Sequence, residues 1–173
     1  MLRKIITYPH PILVQKAAIV TEFNDALHRL ISDMIQTMFD APGAGLAANQ
    51  VGELKQVVVI NTSEKEQDAD RQAIALINPE IIYTEGSQVD VEGCLSVIEY
   101  STKVTRFQKV TVRAQDASGK TREFEAEDFF ARVIQHECDH LEGKLFIDRI
   151  SSLKRSLYKK KLKKILAEEQ EKS

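Results

Sequence analysis

The sequence predicts an α+β fold with antiparallel strand pairing. Strand-like and helix-like segments do not alternate regularly, as they would in a doubly wound sheet. Residues 109–115 alternate with Val110, Val112 and Ala114 on one face, and a turn at Asp116-Ala117-Ser118-Gly119 leads into a return over 121–125. That is a hairpin signature. Residues 127–141 then run without Pro or Gly until Gly143 supplies a stop, which predicts a helix.

The other elements follow in chain order. The first twenty residues read as an extended arm with a turn at Tyr8-Pro9-His10-Pro11, and His10 and His28 read as surface or capping residues. Asn24 caps a helix whose stripe carries Leu27, Leu30, Ile31, Met34, Ile35 and Met38, with the methionines as core filler. Pro42-Gly43 ends it. The small apolar run 43–50, Gly-Ala-Gly-Leu-Ala-Ala-Asn-Gln, lacks the Gly-Lys-Ser/Thr of a phosphate loop, and its glycines permit close backbone approach. Residues 56–60 form a buried strand, 62–71 a solvated loop, and 73–77 and 80–84 two strands broken at Asn78-Pro79. Ser151 caps a last helix toward the C-terminus.

Composition narrows the function classes. With 173 residues, 43% apolar and 29% charged, the chain fits one globular domain with a real core. We expect residues 1–150 to form the catalytic part and 151–173 a basic C-terminal helix of the same domain. A net charge of −2 argues against wholesale nucleic-acid binding. The N-terminal apolar run is too short for a signal segment and no transmembrane stretch follows, so a cytoplasmic location is expected, with Cys94 and Cys138 as thiols.

The chemistry concentrates at 135–143, Gln-His-Glu-Cys-Asp-His-Leu-Glu-Gly. His136 and His140 lie one helical turn apart on one face and can reach one metal ion. Glu137 projects beside that face, within reach of the proton of a water on the metal. Phe129 and Val133 continue the stripe as an apolar wall. For the motif alone, the alternative is a buried histidine pair held by ordinary hydrogen bonds. A catalytic site needs a third protein ligand. Glu142, Asp148 and Cys94 are candidates, whereas Cys138 sits on a different face of the helix and cannot join.

Three segments together resemble the peptide deformylases. Residues 43–50 match the family's G-x-G-L-A-A-x-Q motif, 92–96 (Glu-Gly-Cys-Leu-Ser) match E-G-C-L-S, and 135–143 match Q-H-E-x-D-H-L-x-G. The resemblance implies a central metal-binding helix cupped by antiparallel sheets, with a C-terminal helix outside. It implies Cys94, His136 and His140 as metal ligands and iron(II) as the metal. An S-N-N donor set would accept zinc, nickel or cobalt as well. The implied reaction is hydrolysis of the N-formyl group from N-formylmethionine of nascent polypeptides, releasing formate. Glu137 would move the proton, and the Gln50 amide and Leu95 backbone N–H would stabilise the oxyanion. Phe129, Val133 and Ala44 would line the methionine slot. Gly43 belongs to the same glycine loop, and Gly45 and Gly93 would offer backbone bonds to the peptide.

The chain departs from the family pattern at Ile98, where many members have proline, and at Ser101, where bacterial members often carry a peptide-holding arginine. Lys103 is a candidate substitute, and Arg106 is expected to brace Glu92. Two rivals stand beside this reading. An H-E-x-x-H zinc peptidase would use a downstream histidine or glutamate as third ligand, and no downstream histidine exists. A non-catalytic binding module would use the basic tail, whose Lys154, Arg155, Lys159, Lys160, Lys161, Lys163 and Lys164 suit rRNA phosphates. We expect 151–173 to dock on the ribosome and contribute nothing to the metal site. No membrane and no sequence-specific nucleic acid is expected as a partner.

Overall fold

The computed structural model describes residues 1–63 and 71–172. Most of the predicted solvated loop at 62–71 therefore lies outside the described residues. Three helices and seven strands carry the architecture: α1 (Asp25–Asp40), β1 (Gly45–Ala47), β2 (Val57–Asn61), β3 (Ala73–Glu85), β4 (Gln88–Cys94), β5 (Val97–Arg106), β6 (Lys109–Gln115), β7 (Thr121–Glu127), α2 (Asp128–Leu141) and α3 (Ser152–Lys172). Strands β1-β2-β3-β6-β7 form one antiparallel sheet in that order, and β4 and β5 form a separate ribbon. The predicted α+β class is what the chain adopts.

Strand β2 shows why its Val-Val-Val-Ile run has no polar alternation. Val57 and Val59 pack into the cluster under α1, while Val58 and Ile60 pack into the cluster under α2. Both faces of the strand are covered, so both residue parities must be apolar. Helix α1 begins as predicted, with the Asn24 side chain accepting the Leu27 N–H at 3.1 Å, and seats Leu27, Leu30, Met34 and Met38 in the core. Burying each such side chain contributes about 1.5–3 kcal/mol. Helix α2 lays Ala131, Ile134 and Leu141 on the opposite face of the sheet. Its other side meets a third cluster built from Val97 and Val104 of the ribbon, Leu145 to Ile147, and Tyr158 and Leu162 of α3. The Ser151 hydroxyl accepts the Lys154 N–H, giving α3 the predicted cap. No helix among the described residues is long and apolar enough to cross a membrane.

Three expectations need correction. Residues 43–50 are not simply a loop: 45–47 form the edge strand β1, and a short 3-10 turn follows at 48–51. The two strands expected at 73–77 and 80–84 are one strand with a bulge. Asn78 adopts φ +52°, and its side chain exchanges two hydrogen bonds with the backbone of Val20, so the break in pattern latches the N-terminal arm without ending the strand. Strands β4 and β5 escaped the sequence reading because their polarity is reversed. Val89 and Val91 face out, while Glu92 and Arg106 are buried.

The arm itself is a strap. Its backbone N–H groups at Ile6, Tyr8 and Ala17 donate to the carbonyls of Gln50, Ser96 and Leu141, each at 2.8 Å. One residue from each of the three motifs is thereby tied to a single extended segment. Gly143, just beyond α2, adopts φ +72°, and a Cβ there would come within 2.6 Å of the Val14 carbonyl oxygen. Only glycine lets the arm pass so close.

Candidate metal centre and active site

Helix α2 presents His136 and His140 side by side, and the end of β4 brings Cys94 against them. One donor atom from each lies within 4.8 Å of the others, and Cys94 Sγ is 3.4 Å from His140 Nε2. Cys94 reaches this place because the ribbon's register shifts at Gly93/Cys94, turning the chain sharply before Val97. The other third-ligand candidates are elsewhere. Glu142 pairs with Lys16 at 2.9 Å, and Asp148 accepts the Leu145 N–H at 2.9 Å to close a short turn. Cys138 packs against the sheet-side core, where burial pushes its thiol up to about 12.

Glu92 orients the first histidine. Its carboxylate accepts from His136 Nδ1 at 2.8 Å, which leaves Nε2 with its lone pair toward the other donors. Arg106 grips the same carboxylate bidentately, through Nε and Nη2 at 2.8 Å each, as expected from the sequence. Arg132 adds a third contact at 2.5 Å and also donates to the Val104 carbonyl. Burial works to raise the Glu92 pKa, but the bonds from Arg106 and His136 outweigh it and hold the carboxyl at about 2. Beyond Arg106 the chain of charges continues to Asp139 at 2.6 Å, and from there to Arg149.

The residues fit a soft or borderline divalent cation. A thiol sulfur and two imidazole nitrogens form an S-N-N donor set, and the Ser96 N–H points at Cys94 Sγ at 3.4 Å. Burial acts to lower the His136 pKa, yet hydrogen bonds to Cys94 and Glu92 raise it well above the ordinary value. Burial and the neighbouring positive charges lower that of His140.

Two more side chains frame the reaction space. Gln50 is buried, and its Oε1 accepts the Ala47 N–H at 2.9 Å, which fixes the amide so that Nε2 faces Ser96 Oγ at 3.0 Å and Cys94 Sγ at 3.6 Å. Glu137 is buried beside β1, with its Oε2 free of any hydrogen-bond partner. Burial raises its carboxyl to about 7, and a seated dication would pull it back down. Gly45 makes room for it, since a Cβ at that position would lie 2.6 Å from Glu137 Oε1.

These groups line a cleft of about 380 Å³ that also includes Gly43, Ala44, Gly93, Leu95 and Val133. Phe129 stands at its rim and is 67% exposed, so it does not form an enclosed wall. Edge strands β1 and β4 flank the cleft. Lys103 lies opposite Val91 in the ribbon, and Ser101 opposite Gly93.

The sequence reading passed over several site-supporting residues. Ser96 is fully buried against Gln50, and Asp139 and Arg149 extend the charge network. Arg132 carried a usable signal: an arginine one turn before His136 in an otherwise apolar helix face must find a buried partner. The tail, expected to contribute nothing to the metal site, lies close to it. Tyr158 of α3 is buried and stacks on Tyr100, beside Phe146 and within the cluster that packs against Cys94 and His136.

Comparison with known proteins gives one answer. A sequence model described as Polypeptide deformylase matches residues 2–156. Peptide deformylase from Desulfotalea psychrophila is 50% identical over 161 residues, covering 93% of this chain and 95% of the relative. That from Acidobacterium capsulatum is 49% identical over 165 residues, covering 95% and 96%. Among solved structures, a peptide deformylase from Legionella pneumophila superposes with a TM-score of 0.89 at 40% identity, over 98% of each chain. The Thermus thermophilus enzyme gives 0.85 at 36% identity, over 99% of each.

Proposed function

The chain belongs to the polypeptide deformylase family, and from that premise we propose that it hydrolyses the N-formyl group of N-formylmethionine on nascent polypeptides, releasing formate. The observation that carries this reading is the convergence of Cys94, His136 and His140, two of which, Cys94 and His136, line one cleft together with Glu137 and Gln50. Cys94 Sγ and the two histidines are the proposed metal ligands, with iron(II) as the ion. Bound there, it would supply Lewis acidity, lowering the pKa of a water toward neutrality and polarising the formyl carbonyl.

The chain's own groups do the rest. Glu137 Oε2, unpaired and buried, takes the proton of the attacking water and returns it to the leaving amine nitrogen. Gln50 Nε2, aimed by the Ala47 bond, donates to the oxyanion together with the Leu95 N–H. The outer edges of β1 at Gly45 and β4 at Gly93 hold the peptide backbone as an added strand. Ala44 and Val133 take the methionine side chain below, with Gly43 in the loop above and Phe129 covering from the rim. Lys103 is the proposed replacement for the missing arginine, supported by its pairing with Val91, which lines the cleft.

We further propose that the catalytic part, 1–150, and the helix 151–173 form one domain working in the cytoplasm. The exposed Lys159, Lys160, Lys163 and Lys164 of α3 suit rRNA phosphates at the ribosome. Charge reversal of these four should abolish salt-sensitive co-sedimentation with ribosomes, and co-sedimentation that survives would remove the docking idea. The activity itself is tested by comparing a formyl-Met peptide with its unformylated counterpart. Release of formate from the first, and no cleavage of the second, is expected. Internal cleavage of both would make the protein a peptidase instead. Metal analysis of anaerobically purified protein tests the assignment of iron.

A further inference from the structure

Helix α3 reaches the metal ligands through a ladder of rings. Tyr158 stacks on Tyr100 with centroids 4.5 Å apart, Tyr100 on Phe146 at 6.0 Å, and Phe146 on the His136 imidazole at 6.1 Å. All three steps are near-parallel, with interplanar angles of 27°, 14° and 25°. Tyr158 and Phe146 are each only 1% exposed, so neither ring can move without opening a void. A second link runs from α3 to the cysteine side. The Tyr158 hydroxyl donates to the Ile98 carbonyl at 3.2 Å, and Lys161 Nζ donates to the Glu99 carbonyl at 2.8 Å. These carbonyls belong to the two residues after Val97, the residue paired with Cys94.

From this we infer that Tyr158 is a positioning residue for the metal centre, acting through Tyr100 and Phe146 on His136 and through Ile98 on the turn that carries Cys94. The inference rests on the Cys94/His136/His140 group being a metal site. His136 is held in its ring plane from two directions. Glu92 fixes the Nδ1 edge by a hydrogen bond, and Phe146 supports a ring face by packing. A hydrogen bond on one edge leaves the imidazole free to rock about that bond, and the stacked ring removes this freedom. Tyr100 and Tyr158 back Phe146 in turn. An outer partner that orients a ligating histidine typically contributes 10–100-fold in metal affinity. For a residue two rings removed, the lower end is expected.

The test uses cobalt(II)-loaded full-length protein, which reports ligand geometry without turnover. Cobalt uptake by the unsubstituted protein, with a sulfur-to-cobalt charge-transfer band, comes first; no uptake would mean that the metal-site reading itself fails. Tyr158→Leu keeps bulk but removes the ring, and Tyr100→Leu interrupts the ladder at a half-buried position where folding is less at risk. Each should speed cobalt release to a chelator by about 10-fold and shift the band. Tyr158→Phe, which keeps the ring and removes only the bond to Ile98, should speed release less than Tyr158→Leu does, and release as fast as in Tyr158→Leu would overturn the role of the ring ladder. Leu162→Ala, in the same apolar cluster but outside the ladder, should lower the Tm and leave release unchanged. Wild-type release in the two leucine variants would overturn the inference. So would release in Leu162→Ala as fast as in Tyr158→Leu, because that would reduce the effect to general loosening of α3.

Discussion

Replacing Gly45 by alanine should damage turnover while leaving the metal in place. The added Cβ would lie 2.6 Å from Glu137 Oε1, 2.7 Å from Cγ and 2.9 Å from Cδ. Ordinary contact begins at 3.4 Å, so the closest pair is short by about 0.8 Å. Strand β1 cannot supply that movement, since it is paired to β2 along its length and its residues Gly45, Leu46 and Ala47 are all buried. The carboxylate must therefore shift. A misplacement near 1 Å of a reacting group costs on the order of 10²-fold in rate, and overpacking of this kind costs about 1–3 kcal/mol in stability. The atoms nearest the added Cβ all belong to Glu137 and none to Cys94, His136 or His140, so metal content should stay at the wild-type level. The assay is steady-state formate release with metal analysis and a thermal melt on the same preparation. Full kcat with a normal melt would refute the reasoning, because it would mean that Glu137 has other room or no part in the reaction.

Other substitutions probe the remaining parts. Cys94→Ser, His136→Ala and His140→Ala should each lose metal, whereas Cys138→Ser should keep it; a Cys138 variant as metal-free as the Cys94 variant would break the ligand assignment. Glu137→Gln should retain metal and lose most turnover, and Gln50→Ala should lower kcat by roughly 10²–10³. A raised KM with unchanged kcat would restrict Gln50 to substrate binding. Arg106→Leu strips Glu92 and Asp139 of a shared guanidinium in a buried setting, which costs about 3–5 kcal/mol. Arg132 and Arg149 remain on those carboxylates, so the lower end is expected in urea unfolding. A change below about 1 kcal/mol would show the network to be slack.

What the sequence revealed depended on whether local pattern and burial agreed. Helix α1 and the β6–β7 hairpin were legible because their apolar residues face the core and their caps and turns carry the usual residue types. The H-E-x-x-H pair was legible because its spacing is a helical property. The ribbon was not, because tertiary contacts override its pattern: it buries Glu92 and Arg106 against α2 and exposes Val89 and Val91, the latter at the cleft. Spacing alone left the third ligand open among Cys94, Glu142 and Asp148, since which of them meets the histidines depends on how β4 lies across α2. The contribution of α3 was hidden for a related reason. Its eight basic residues dominate the composition, while only two of its residues, Tyr158 and Leu162, are buried.

The N-terminal strap has a bearing on the order of synthesis. Its three backbone bonds reach residues 50, 96 and 141, so a segment made before all of these waits longest for its last partner. A ribosome-bound chain that has not yet exposed Leu141 has neither the complete strap nor His136 and His140 available together with Cys94. The site and the strap can therefore both be completed only after α2 has been made. No product of translation interrupted before His140 can bind metal with all three donors. The arm, made before every element it ties together, is completed as a structural element only by one of the last.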